Sequence, residues 1–193
     1  LFDNFILEFG AQPLKDIDSI ENSNVIGYLE KVPGAKEFLL NYSGQSFKKG
    51  LYRVHHVSEI SKWTSIIESA FPKFQNKIIC FSYDWLGRHF AMYFHKDGLV
   101  ILMFEPGTGE VLKIPVSFTS FHEEELVKYQ NESLAVSFFN SWRNHSSEPV
   151  TSDKCVGYKI PLFLGGEDTL DNLELTDLDV YWHIASQLIQ KIS

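Results

Sequence analysis

Four runs of apolar, β-branched and aromatic residues follow one another with at most four residues between them: Lys77 to Tyr83, Arg88 to His95, Leu99 to Glu105 and Glu110 to Val116. Connections this short only reverse the chain, because parallel neighbours need a crossover of a dozen residues or more. In Lys96-Asp97-Gly98 the Asp-Gly pair supplies the positive φ of a tight hairpin, and Pro106-Gly107-Thr108-Gly109 turns the chain once more. The expectation is an α+β fold with a central antiparallel sheet, a meander built from residues 77 to 116 and flanked by helices. Because the strands are consecutive, the helices are expected to gather on a face of the sheet.

Helical signals surround this meander. From Ser58, Ile60, Trp63, Ile66, Ile67 and Ala70 share one face, with Ser58 as N-cap and Phe71-Pro72 as the stop, predicting a helix over 58–70. Ser120-x-x-Glu123 has the form of a capping box opening a helix that continues or restarts to about residue 143, with Phe138, Phe139 and Trp142 on its apolar side. Thr176 can cap a last helix over 177–191, in which Leu178, Tyr181, Ala185, Leu188, Ile189 and Ile192 share a face. Cys155 to Gly166 is poor in polar residues and reads as a buried extended segment. The first 50 residues read as short helical pieces around Val25 to Lys31 and Ala35 to Asn41, broken at Pro33-Gly34. A chain of 193 residues buries about 70% of its unfolded surface. We therefore expect a single compact domain over 1–193, with 1–50 as a small helical N-terminal subdomain.

Charge divides the chain more sharply than hydrophobicity does. Residues 1–100 hold 11 basic and 11 acidic side chains, so the net charge of -8 resides in the second half. Within it Glu167, Asp168, Asp171, Glu174, Asp177 and Asp179 occur without an intervening Lys or Arg. This balance lacks the basic field that nonspecific binding to nucleic acid or anionic lipid requires, and leaves a basic protein surface as a target. No apolar run approaches the roughly 20 residues of a membrane span, and the first nine residues lack the pattern of a secretory leader. Cys80 and Cys155 form neither a Cys-x-x-Cys pair nor a disulfide framework and read as buried thiols. A cytoplasmic protein is the simplest expectation.

The residues that carry chemistry do not assemble by spacing. No His-Glu-x-x-His, phosphate loop, Gly-x-Gly-x-x-Gly or Gly-x-Ser-x-Gly occurs. His55 and His56 point to opposite faces of an extended chain, and Cys80 sits in an apolar run that raises a thiol's pKa. No cofactor, metal or catalytic group is expected. Asp84-Trp85-Leu86-Gly87-Arg88 admits two readings. In one, Asp84 and Arg88 close the turn and Trp85 caps the core. In the other, exposed Trp85 and Arg88 anchor a partner. The acidic segment likewise is either a solvated face with helix capping, or a docking surface in which carboxylates imitate the phosphates of nucleic acid.

Three stretches exceed generic globular text. Gly50-Leu51-Tyr52-Arg53-Val54-His55 leads through Trp63 and Phe71-Pro72 to Tyr83-Asp84-Trp85-Leu86-Gly87-Arg88. Phe104-Glu105-Pro106-Gly107-Thr108-Gly109-Glu110 is the second. Cys155-Val156-Gly157-Tyr158-Lys159-Ile160-Pro161-Leu162-Phe163-Leu164-Gly165-Gly166 continues to Asp171-Asn172-Leu173 and Tyr181-Trp182. Together they resemble the bacterial immunity family named for the Tdi protein of type VI secretion, formerly a domain of unknown function, with a GAD-like N-terminal part and a likeness to SUKH-type immunity proteins. The resemblance runs from about residue 45. It implies a small cytoplasmic protein, encoded beside a toxin that it binds and silences, the best-known partners being nucleases; a monomer or weak homodimer is expected, and, since no spacing assembles catalytic residues, no enzyme. The partner-binding residues expected are Glu167, Asp168, Asp171 and Glu174, with Trp85 and Arg88 as anchors, set against a basic toxin surface. Two alternatives stand beside it: a hydrolase or transferase whose site gathers His55, Asp84 and His183 across the fold, and a regulatory or scaffold module with no toxin partner.

Overall fold

The computed structural model describes residues 1–14, 26–96 and 98–192. Val25 and Asp97, invoked above for a helix start and a hairpin, lie outside them.

The chain begins with α1 (Asp3–Phe9), α2 (Ile26–Leu29) and α3 (Ala35–Asn41), then β1 (Ser46–Phe47) and β2 (Tyr52–Val54). Next come α4 (Ile60–Ala70) and the meander β3 (Ile78–Asp84), β4 (His89–His95), β5 (Gly98–Phe104) and β6 (Val111–Ile114). A broken helical stretch follows: α5 (Phe118–Ser120), a π turn over Phe121–Glu125, α6 (Leu126–Lys128), α7 (Gln130–Leu134) and α8 (Val136–His145). The last elements are β7 (Lys154–Tyr158), β8 (Leu173–Asp177) and α9 (Leu178–Ile192).

The fold is α+β, with a six-stranded sheet in the order β1-β2-β3-β4-β5-β6 whose pairs are all antiparallel. The four strands of the meander fall within two residues of the expected bounds. Their environment differs from the expectation, because helices cover both faces of the sheet. On β4 and β5, Phe90, Met92, Ile101 and Met103 pack with Phe2, Phe5, Phe38, Phe118 and Phe121, while Ala91, Leu102 and Phe104 pack with Trp63, Ile67, Tyr181 and Ala185. The signal was present in the sequence: Ile78 to Phe81 and Leu99 to Phe104 are continuous apolar runs, the pattern of strands buried on two sides.

Several local expectations are corrected by hydrogen bonding. His56, and not Ser58, caps the turn that leads into α4, its Nδ1 accepting from the Ser58 amide at 3.3 Å. Ser117, and not Ser120, caps α5, accepting from the Ser120 amide at 3.0 Å. The expected helix over 120–143 is interrupted at Tyr129 and again at Ala135, which holds a left-handed φ of 51°. Thr176 lies inside β8, which runs to Asp177, and α9 starts directly after it at Leu178; Ile192 is exposed while Trp182 takes a place in the core.

The second sheet, β7 with β8, pairs Lys154 with Asp177 at one end and Tyr158 with Leu173 at the other. Buried Arg53 ties it to the main sheet, donating from Nη1 to the carbonyls of Thr151 and Lys154 and from Nη2 to that of Asp84, with its guanidinium 4.3 Å from the Tyr83 ring centroid. The expected buried segment 155–166 is therefore buried only at its start. Cys155, Val156 and Gly157 are inside, whereas Ile160 and Leu164 reach the surface.

Candidate functional site

The turn between β3 and β4 is architecture. The Asp84 carboxylate accepts from the amides of Leu86 and Arg88, both at 3.0 Å, and from Arg88 Nε at 2.6 Å. Gly87 stands at φ +74°, where a Cβ would meet Cys155 Sγ at 3.1 Å, so a non-glycine residue there is opposed by both conformation and packing. Its carbonyl accepts from His89 Nδ1 at 3.0 Å and from Trp182 Nε1 at 2.7 Å, joining the turn to α9. Burial pushes the Asp84 carboxyl above its ordinary value, while the adjacent Arg88 pulls the other way.

This geometry corrects the anchor expectation. Trp85 is 0% exposed, packed against Phe138, Phe139 and Trp142, and donates from Nε1 to the Leu134 carbonyl at 2.9 Å. The cause is that α8, which follows Leu134, lays its apolar side over the turn. Arg88 is also buried, its guanidinium engaged by Asp84, by Glu105 at 3.1 Å and by the Ser133 carbonyl at 3.1 Å. Neither side chain is free to meet a partner as an exposed anchor.

The three residues of the alternative catalytic reading are not assembled either. His183 is exposed on α9, lining a groove with Ile66, Ser69 and Gln187, while Asp84 is committed to Arg88. His55 is 2% exposed and stacks with Trp63, Tyr83 and His89 at centroid distances of 5.5, 4.5 and 5.0 Å. Burial is the main force holding its pKa well below the ordinary imidazole value, reinforced by His89, Arg53 and Lys62. His89 and His122 are pushed down by burial to about 3. His122 sits among Phe5, Phe38 and Phe118 and donates from Nδ1 to the Phe118 carbonyl, leaving Nε2 to accept from the Tyr52 hydroxyl at 3.0 Å. These are neutral core histidines. Burial likewise raises both thiols, that of Cys155 to about 12, which leaves them protonated at neutral pH. No group of three or more potential metal ligands occurs among the described residues.

The acidic residues have a different fate. Glu167, Asp168, Asp171, Glu174, Asp177 and Asp179 are all exposed. Asp177 and Asp179 are engaged by Lys154 at 2.7 Å and Lys62 at 2.9 Å. The first four belong to the β7–β8 connection or its edge, a loop held from within. Asn172 donates from Nδ2 to the carbonyls of Ile160 at 2.9 Å and Glu167 at 2.8 Å, and accepts on Oδ1 from the Ile160 amide at 3.0 Å. The Tyr158 hydroxyl donates to Asp168 at 2.6 Å, and Lys159 Nζ donates to the Asp171 carbonyl at 2.7 Å. Asp168 and Tyr158 also wall a cleft of about 230 Å³ with Arg88 and Glu105.

Gly166 closes this loop. A Cβ at that position would lie 1.9 Å from the Ile160 carbonyl oxygen and 2.8 Å from Asn172 Nδ2. Gly166→Ala is therefore expected to cost about 1–3 kcal/mol through overpacking. Urea denaturation measures the cost, and amide shifts confined to 158–172 locate it.

Sequence reasoning missed Asn172 as a clamp and Ile160 and Leu164 as exposed side chains, because the low polarity of 155–166 suggested burial throughout. Pro161 and Gly165-Gly166 were the available sign of a surface loop.

The architecture defines an α+β class already seen in a solved structure. The chain is similar to the crystal structure of Atu4351 from Agrobacterium tumefaciens, with a TM-score of 0.63 at 14% identity over 97% of this chain and 89% of that one. Residues 117–189, which span α5 to most of α9 and include the acidic loop, match the family model described as T6SS immunity protein Tdi1, C-terminal. The match is a likeness of this C-terminal part of the chain to a type VI secretion immunity family of the Tdi type. No curated protein sequence matches the chain. Among the described residues, no helix is long and apolar enough to cross a membrane.

Proposed function

We propose that this protein neutralises a cognate secreted toxin by direct contact in the cytoplasm, acting by binding and not by catalysis. The observation that carries the reading is the match of residues 117–189 to the Tdi1 immunity domain. Its consequence for mechanism comes from the acidic face: Glu167, Asp168, Asp171 and Glu174 are exposed within the matched region. Four carboxylates there suit a basic toxin surface of the kind that a nuclease presents to its substrate, and they repel nucleic acid itself.

Co-expression tests the reading. Each type VI effector domain of the source genome, beginning with any encoded beside this gene, is induced with and without this chain. Restored growth with one effector is the expected result. Failure to protect against any of them contradicts the proposal. With the protected effector, the variant Glu167→Gln/Asp168→Asn/Asp171→Asn is expected to protect less while unfolding within about 1 kcal/mol of the parent, since all three side chains are exposed and Asp168→Asn keeps an oxygen that accepts from the Tyr158 hydroxyl.

A further inference from the structure

We propose that the loop 159–166 is the apolar centre of the toxin-binding face, and that the partner meets it with an apolar pocket bordered by Lys and Arg side chains. The inference rests on the immunity reading above and names the surface that reading leaves open once Trp85 and Arg88 are buried. Ile160 and Leu164 are 55% and 49% exposed on this loop, an uncommon place for two large aliphatic side chains. Asn172 brings the backbones of Ile160 and Glu167 to one amide group, so the apolar residues and the acidic ones share one surface. Between residues 158 and 174 stand four carboxylates and one lysine, Lys159, which is itself tied to the Asp171 carbonyl. An apolar centre with a charged rim is the general anatomy of a specific interface. The sign of this rim selects a basic border on the partner.

The loop is also pre-organised. Its ends are fixed by the Tyr158–Leu173 pair of the second sheet, and its middle by Asn172 and by the contact between Tyr158 and Asp168. A surface already held in one conformation loses little entropy on binding. The comparable apolar pair on α9, Val180 (49%) and Ile184 (51%), lacks this rim, since adjacent Asp179 is already paired with Lys62.

The test uses the purified full chain and the effector domain against which it protects. Ile160→Ser/Leu164→Ser is expected to weaken the complex about 100-fold, mainly through faster dissociation, whereas Val180→Ser/Ile184→Ser leaves it unchanged. Hydrogen exchange on the unmodified complex needs no variant and is expected to show amides 159–168 newly protected. Unchanged affinity in the loop variant, loss in the α9 variant instead, or no protection of 159–168 each overturns this inference while leaving the immunity reading intact. Absence of any effector that the parent chain silences overturns both.

Discussion

Trp85→Ala is expected to lower the unfolding free energy by about 3–5 kcal/mol, the range for removing a large aromatic from a packed core. The ring touches Phe138, Phe139 and Trp142, and its Nε1 satisfies the Leu134 carbonyl just before the left-handed Ala135. Its loss therefore opens a cavity beneath α8 and leaves a buried acceptor without its donor. Against a typical total of about 5–15 kcal/mol, such a variant is partly unfolded under mild conditions. Denaturant midpoints measure the loss. Toxin affinity per folded molecule is expected to stay the same, which separates a core residue from an anchor.

Acidification is expected to produce an effect of similar size. His55, His89 and His122 are buried and neutral, with pKa values held below that of an exposed imidazole. The sign follows from linkage: below the unfolded value of about 6.5 the unfolded chain takes up protons that the folded chain refuses, so stability falls as pH falls and is fully present above that value. For His89 and His122, both near 3 when folded, the loss at pH 5 relative to pH 7.5 is about 2 kcal/mol each, and His55 acts in the same direction. The raised carboxyl of Asp84 opposes this trend. Urea denaturation at the two pH values checks the prediction, and His122→Gln is expected to flatten the dependence. Equal stability at pH 5 and pH 7.5 contradicts the assignment of neutral core histidines.

What could be read from the residues, and what could not, follows the range of the forces involved. The meander was legible because its turns are local: Pro106-Gly107 and the four-residue link at Asp84 dictate chain reversal whatever packs around them. α4 was legible because Ile60, Trp63, Ile67 and Ala70 repeat on one face, and all four are buried. β1 and β2 were not, since two- and three-residue strands carry no period, and Tyr52-Arg53-Val54 is held by pairing with distant Ser82 to Asp84. Of the five-residue strands β7 and β8, the first was legible only as an extended segment from Cys155, and the second, which shows no regular alternation in burial, is held by pairing with Lys154–Tyr158. At the candidate site, the exposure of Glu167, Asp168, Asp171 and Glu174 follows from their charge. Whether Trp85 and Arg88 face solvent depended on α8, some fifty residues away, and no local pattern encodes that.

Capture of a basic toxin by an acidic face is read out by the rate of association. Purified chain and the protected effector domain are mixed by stopped flow at about 50 mM and 500 mM salt, which screens exposed charges beyond several ångströms. The parent chain is expected to associate about tenfold or more faster at low salt, and Glu167→Gln/Asp168→Asn/Asp171→Asn to lose most of that salt dependence. Identical rates and identical salt dependence for the folded variant and its parent would rule out capture through the acidic face.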